Sequence, residues 1–210
     1  MKGAVARRST AGCRGAIWML VGALAAGCSL PGDKSEPPQT FLLDVGALDA
    51  PPARRPTGKT LLVATPKAAP GFDSNRIAYT REPLKLDYYL NSVWSDTPAK
   101  MLLPVLVRAF EGAGAFSAVV SPPSPAVPDL RVDLDIIRLQ QELMSKPSHV
   151  RLTVRLKVID TRSGRVLGAR VFEAVESTPS EDAYGAARAA NAAVQKLLGE
   201  MIPFALAYLT

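Results

Sequence analysis

Cysteine and histidine are scarce in this sequence of 210 residues, which holds only Cys13, Cys28 and His149 of these types. A single histidine excludes a His-rich metal site, and it leaves a serine or cysteine nucleophile without its usual base unless His149 itself serves. Also absent are Gly-x-Ser-x-Gly, Gly-x-x-x-x-Gly-Lys, Cys-x-x-Cys and His-Glu-x-x-His. These absences argue against most enzyme classes.

A surplus of one charge sign is also missing once the N-terminal segment is set aside. The formal charge is +6, but four of the 25 basic residues and none of the 19 acidic ones precede Cys28. The remaining chain therefore carries 21 basic and 19 acidic residues and is nearly balanced. Such a body has no electrostatic footprint for a nucleic acid.

The N-terminus has the composition of a secretory signal. Four basic residues come first, an apolar run over residues 16–26 follows, and no acid occurs before Asp33. The run is too short to span a bilayer, which needs roughly 20 apolar residues. We predict a signal peptide over residues 1–27.

The end of this run, Leu24-Ala25-Ala26-Gly27-Cys28, resembles a bacterial lipobox. The resemblance implies that Cys28 becomes the first mature residue and carries acyl chains, and several such chains hold a protein stably on a membrane. With Cys13 removed and Cys28 lipidated, the body would have no thiol and no disulfide, so core burial must stabilise it. The alternative is an ordinary signal peptide with a chance cysteine.

Residues 28–39 are polar and proline-containing, and they predict a tether in front of one domain over residues 40–210. A first strand is predicted at Phe41–Val45. Two β-prone runs flank a turn at Arg81–Pro83 and predict a hairpin over residues 76–89, with Trp94 in a short turn after it.

Two helices are predicted. Thr97 and Pro98 suit the N-cap and first position of one, with Pro104 marking an early kink or a later start. A capping box over residues 178–181 opens the second, whose apolar stripe runs from Tyr184 to Met201, and Pro203 is expected to end or kink it.

From Asp129 onwards, three long segments alternate apolar and charged residues, which predicts an antiparallel meander with one solvated face. Together with the helices this gives the expected fold class, α+β: a two-layer, mostly antiparallel sheet with two helices packed on one face.

Candidate chemical groups are few. Asp133 and Asp135 could act as paired carboxylates, but a solvated sheet face explains them better. His149, at a strand start, fits an exposed turn better than a catalytic site. The hairpin aromatics fit either core packing or a binding patch, and packing is the more common use of aromatics at alternating spacing.

The layout resembles the family of ABC-type transport auxiliary lipoproteins. The resemblance covers about residues 40–198, whereas the tail after Met201 matches poorly. The features that match are the lipobox at Cys28, Phe41-Leu42-Leu43, Arg76–Tyr79, Leu86–Tyr89, Trp94, the helix at Pro98, the strand at Asp129, Asp182–Tyr184 and Asn191–Ala193.

The resemblance implies a lipoprotein on the periplasmic face of the outer membrane, without catalysis, cofactor or metal. It would serve a transport system built from an ABC ATPase, a permease and a mammalian-cell-entry (MCE) protein, which moves lipids or other apolar molecules. The expected partner is the MCE protein. Ser29 is compatible with the outer membrane, since Asp at that position retains lipoproteins in the inner membrane of enteric bacteria.

A partner-docking or self-association surface is expected on the hairpin, carried by Arg76, Tyr79, Tyr88, Tyr89 and Trp94, and a homo-oligomer stays possible. An alternative function is a lipoprotein that activates or assembles envelope machinery, such as a cell-wall synthase cofactor. A periplasmic hydrolase using His149 is a third and weaker hypothesis.

Overall fold

The computed structural model describes Gly3, residues 37–46 and residues 56–209, and the chain from Pro37 onwards forms one compact unit. The predicted signal peptide, Cys28 and most of the predicted tether lie outside the described residues. No helix in the described ranges is both long enough and apolar enough to cross a bilayer.

The described chain contains nine strands and two helices. The strands are β1 (Gln39–Phe41), β2 (Thr60–Val63), β3 (Lys67–Ala68), β4 (Arg76–Thr80), β5 (Asp87–Trp94), β6 (Ala118–Val120), β7 (Leu130–Glu142), β8 (His149–Asp160) and β9 (Val166–Ser177). The helices are α1 (Pro98–Gly112) and α2 (Ala183–Leu206).

Strand β7 is the centre of the sheet. One of its edges pairs antiparallel with β8 along nearly its whole length, and β9 continues the meander antiparallel to β8. Its other edge is shared by β2, β3 and β4, each parallel to it. Beyond them lie β6 next to β2, and β5 followed by β1 next to β4. The predicted mostly antiparallel α+β fold is confirmed, and the short strands add parallel pairs to it.

Both helices pack on one face of the sheet and share its core. Alternate side chains of β7 and β8 are almost completely buried, as their apolar–charged alternation predicts. Leu102 and Leu106 of α1 meet Leu197 and Leu198 of α2 over Leu152 of β8. A two-layer core without a disulfide therefore holds the domain.

Helix α1 begins where predicted. The Thr97 hydroxyl accepts a hydrogen bond from the Lys100 amide, Pro98 occupies the first turn, and the helix runs through Pro104 to Gly112. Pro104 lies beyond the first turn and removes the amide hydrogen that would bond the Lys100 carbonyl, yet the helix continues past it for eight residues.

The first strand was predicted too late in the chain. It ends at Phe41, and the residues that follow turn inwards, so that Leu43 and Val45 fill the core. Asn191 of α2 takes the place of a strand partner: its Nδ2 donates to the Leu42 carbonyl at 2.9 Å, and its Oδ1 accepts from the Asp44 amide at 2.8 Å.

The start and end of α2 also differ from prediction. Asp182 is the N-cap, accepting from the Gly185 amide at 2.7 Å, whereas Thr178 is buried and its hydroxyl bonds Ser148. Pro203 neither ends nor breaks the helix, which continues to Leu206. Tyr184, expected in the buried stripe, is 57% exposed.

Candidate docking surface

The predicted hairpin exists, but it divides the five predicted site residues among three environments. β4 and β5 pair antiparallel, with a register shift between Arg76 and Ala78. Trp94 ends β5 rather than lying in a turn, and it is only 3% exposed, beside Ile77 and Ala190. Trp94 is therefore a core residue, and the docking surface proposed below leaves it out.

Arg76 and Tyr88 form the outer pair. The Arg76 guanidinium lies 3.6 Å from the centroid of the Tyr88 ring, a cation–π contact. The Tyr88 hydroxyl donates to the carbonyl of Gly71 at 3.0 Å, which fixes the ring against the loop before β4. The pair presents a rigid cationic and aromatic feature at the surface.

Tyr79 and Tyr89 form an inner, half-buried pair with ring centroids 4.8 Å apart. The Arg81 guanidinium lies 5.1 Å from the centroid of the Tyr79 ring. The Tyr89 hydroxyl donates to Oε1 of Gln141 at 2.6 Å. Burial, reinforced by the nearby Asp182 carboxylate, raises the pKa of Tyr89 to about 12, so this phenol stays protonated at neutral pH.

Behind Tyr89 runs a buried chain of polar side chains. Gln141 donates to the Ser148 hydroxyl at 3.1 Å, and Ser148 lies 2.5 Å from the Thr178 hydroxyl. Gln141 and Ser148 are both nearly inaccessible. The chain links β5, β7 and the segment before α2, so the inner face of the hairpin is set by hydrogen bonds as well as by packing.

The outer edge of β5 is open over part of its length. β1 pairs only with Ser92–Trp94, so within the described ranges no strand lies beside Asp87–Asn91 on the side away from β4, and we call this segment the β5 edge. Leu90 in this segment is 90% exposed. Pro37 and Pro38 precede β1 and lack the amide hydrogens that would extend its ladder. An open edge of this kind can accept a strand from another chain.

His149 lies in a polar cluster on the solvated face of the meander. Its Nε2 is 2.7 Å from Oε2 of Glu142, and its Nδ1 is 3.2 Å from the Ser145 hydroxyl. Arg151 donates to both Glu142 oxygens, at 2.8 and 3.1 Å, and to Glu173 at 2.7 Å. Strand alternation alone could not have found this cluster, because it would put Glu142 on the buried face with Leu130 and Ile136. A register shift between Ile136 and Arg138 turns Glu142 to the solvated face, opposite His149.

The Ser145–His149–Glu142 arrangement has the order of a catalytic relay, but its hydroxyl and its carboxylate each have a second partner. The Ser145 hydroxyl donates to the Pro147 carbonyl at 3.2 Å. Glu142 is shared between His149 and Arg151, which makes it a structural ion-pair partner. Burial alone would raise the pKa of Glu142, but hydrogen bonds from Arg151 and His149 outweigh burial and hold that pKa below its usual value.

The other candidate groups are accounted for locally. Asp133 pairs with Arg131 and Asp135 with Lys157, as expected on a solvated sheet face. Within the described ranges, no three His, Cys, Asp or Glu side chains converge as a metal site would require. A cavity of about 230 Å³ lies between the segment before Gly46 and the two helices, lined mainly by apolar residues.

These features define an α+β domain with an aromatic hairpin and an open strand edge. The chain belongs to the family described as the ABC-type transport auxiliary lipoprotein component, whose family model matches residues 41–202. The resemblance seen in the sequence is thereby confirmed, and the chain is an auxiliary component of an ABC-type transport system. No protein of curated function matches it.

Solved structures agree with the fold. A crystal structure from Xanthomonas campestris, assigned to the family DUF330, is 26% identical, with a TM-score of 0.71, and the match covers 80% of this chain and 95% of that one. An uncharacterized protein matches at 11% identity and a TM-score of 0.63, over 80% and 99% of the two chains. A hypothetical protein from Chlamydia trachomatis matches at 10% identity and a TM-score of 0.50, over 72% and 97%.

Proposed function

We propose that this chain is a lipoprotein anchored through Cys28 to the periplasmic face of the outer membrane, where it docks the MCE protein of an ABC-type system that moves lipids or other apolar molecules. The family match over residues 41–202 carries this proposal, and the lipobox-like sequence before Cys28 supports the anchor. The chain itself would perform no catalysis.

The anchor is tested by Cys28→Ala. Loss of the thioether removes the acyl chains, so the variant should move from the membrane fraction to the soluble periplasm. Intact-mass spectrometry that finds no fatty acid on Cys28 of the unchanged protein would contradict lipidation at Cys28. Ser29→Asp is the matched control in an enteric host, where it should keep the lipid and redirect the protein to the inner membrane.

Docking is proposed at the β5 edge. A strand from the partner could pair with Asp87–Asn91 through backbone hydrogen bonds, while Leu90 and the Arg76–Tyr88 pair supply side-chain contacts. The neighbouring inner pair, Tyr79 and Tyr89, would hold the hairpin rigid. A rigid docking surface loses less conformational entropy on binding. A second copy of this chain could occupy the same edge.

The docking proposal is tested with a photo-crosslinking residue at position 90 in intact cells, and the captured protein is identified by mass spectrometry. Val171, which is 50% exposed on β9 at the far end of the sheet, provides the matched control position. Capture of an MCE protein from position 90 alone supports the proposal. Capture of a cell-wall synthase would favour the envelope-activator hypothesis instead.

Two substitutions separate docking from folding. Leu90→Asp should weaken recovery of the partner and leave the melting curve unchanged, because Leu90 is exposed. Trp94→Ala should destabilise the domain by about 3 kcal/mol or more, since it removes a buried aromatic side chain. If Leu90→Asp binds the partner as well as the unchanged protein does, the β5 edge is not the docking site.

A further inference from the structure

A second exposed apolar surface lies where the predicted tether meets the domain. Leu42, directly after β1, is 61% exposed, and Tyr184 in the first turn of α2 is 57% exposed. The half-buried Phe41 ring joins them, with its centroid 6.4 Å from that of Tyr184. We call Phe41, Leu42 and Tyr184 the entry patch. None of the three is part of the β5 edge.

The entry patch is held rigidly although it is exposed. Asn191 fixes the backbone on both sides of Leu43, directly after Leu42, and β1 pairing fixes Phe41 opposite Trp94. Arg188 lies one turn beyond Tyr184, with its guanidinium 6.0 Å from the ring centroid. An amphipathic tyrosine and an arginine beside aliphatic side chains are typical of the boundary between lipid headgroups and acyl chains.

Two acidic side chains around the entry patch are engaged within the domain. Asp44 forms an ion pair with Arg108, and Asp182 caps α2 by accepting from the Gly185 amide. Arg188 is the cation beside the patch, and one arginine attracts anionic lipid only weakly. Contact with a membrane at this surface would depend on apolar burial and only weakly on anionic lipid.

The length of chain ahead of β1 decides which partner this surface meets. From Cys28 to Gln39 the chain has about eleven residues, which reach at most about 40 Å when fully extended. A flexible chain of that length averages only about 20 Å between its ends. The part of the domain nearest a membrane-bound Cys28 is therefore the region around Gln39, and Leu42 follows three residues later.

We propose that the entry patch docks on the surface of the phospholipid bilayer that holds the anchor, with the Leu42 and Tyr184 side chains inserted at headgroup depth. This inference rests on the anchor at Cys28 in the proposed function. Contact through the patch would fix the orientation of the domain on the membrane, so that the β5 edge faces a constant direction.

The test uses the full lipidated protein reconstituted into phosphatidylcholine vesicles. Once Cys13 has left with the signal and Cys28 is a thioether, an introduced cysteine is the only free thiol. Leu42→Cys and the control Val171→Cys are each labelled with a polarity-sensitive fluorophore, and nitroxide-bearing lipids serve as quenchers. Position 42 should show a blue shift and strong quenching that added salt does not reverse, and position 171 should show neither.

Vesicle flotation separates failure of the anchor from failure of the patch. Protein that does not float with the vesicles lacks the anchor, and both proposals then fall. Protein that floats but shows no quenching at position 42 overturns the docking inference alone. Capture of an envelope protein by a crosslinker at position 42, without quenching, would assign the patch to a protein partner instead.

A second variant guards against an effect of the label. Tyr184→Ser in the Leu42→Cys background should reduce the quenching at position 42, because it removes the exposed aromatic side chain of the patch. The variant should still float with the vesicles and melt with the parent, since Tyr184 is exposed. Unchanged quenching in this variant would contradict the role of the patch.

Discussion

At the scale of single residues, Glu142 is the charged side chain that the described part of the domain buries most deeply. It is 5% exposed, yet it is bonded by both His149 and Arg151. Because the folded chain holds the pKa of Glu142 below its usual value near 4.5, the unfolded chain binds the proton more tightly. The stabilisation is therefore complete above about pH 4.5 and is lost as the pH falls through the lower, folded value.

This predicts an acid-dependent stability that Glu142→Gln should flatten. The variant should lose about 1–3 kcal/mol at neutral pH, because Arg151 and His149 lose a charged acceptor. Urea unfolding at a series of pH values measures both effects. Glu111→Gln, an exposed change in α1, should leave the neutral-pH stability unaltered, and an equally steep acid slope in Glu142→Gln would show that other carboxylates carry it.

At the scale of elements, α2 contains two glycines in opposite situations. A Cβ on Gly185 would lie 2.1 Å from the Ser180 carbonyl oxygen, a backbone atom that cannot swing aside, whereas a Cβ on Gly199 meets nothing within 4 Å. The tight approach lets the segment before α2 fold back over its first turn. Helix propensity alone would favour alanine at both positions by roughly 1 kcal/mol.

We therefore predict opposite signs for two identical substitutions. Gly185→Ala should destabilise the domain, since the backbone clash outweighs the propensity gain, and Gly199→Ala should stabilise it by up to about 1 kcal/mol. Thermal unfolding of the two variants beside the parent is sufficient. A stabilised Gly185→Ala variant would mean that the segment before α2 can move away without cost.

The elements that the sequence predicted well are those with long periodic patterns. The three meander strands and both helices follow from apolar spacing, which burial enforces over many residues. The two boundaries that the sequence misplaced, the end of β1 and the start of α2, each depend on a hydrogen bond between residues far apart in the chain. Asn191 ends β1 early, and Ser148 engages Thr178 and leaves the cap to Asp182. The spacing of apolar residues predicts the hairpin. It does not predict the register shift between Arg76 and Ala78, which leaves Trp94 in the core and Tyr88 at the surface.

At the scale of the whole molecule, the C-terminal tail closes the edge of the core beyond the family match. The Phe204 ring packs edge-on against the rings of Phe172 and Tyr208, with centroid distances of 5.5 and 5.4 Å. Tyr208 in turn covers Gly168 of β9. The Lys59 ammonium donates to the Leu209 carbonyl at 3.0 Å. The tail thus joins β9, α2 and the segment before β2.

Truncation tests this role. Removing residues 204–210 should lower the free energy of unfolding by about 3 kcal/mol, because it deletes Phe204 from its contact with Phe172. Chemical denaturation of the truncated protein measures the loss. Tyr208→Ala should cost less, since it removes one half-buried ring whereas the truncation removes both Phe204 and Tyr208. A truncated chain as stable as the full-length protein would show that the tail does not stabilise the domain.

The clasp of Asn191 on Leu42 and Asp44 has a mechanical consequence. If the envelope layers move apart while Cys28 is anchored, tension enters the domain through β1, which pairs with β5 over only three residues. The hydrogen bonds of Asn191 to Leu42 and Asp44 would carry the force next and transmit it to α2, the longer of the two described helices. The β1–β5 hydrogen bonds would break under tension before the β7–β9 meander is loaded. The anchor could then move a short distance away from the domain without unfolding it.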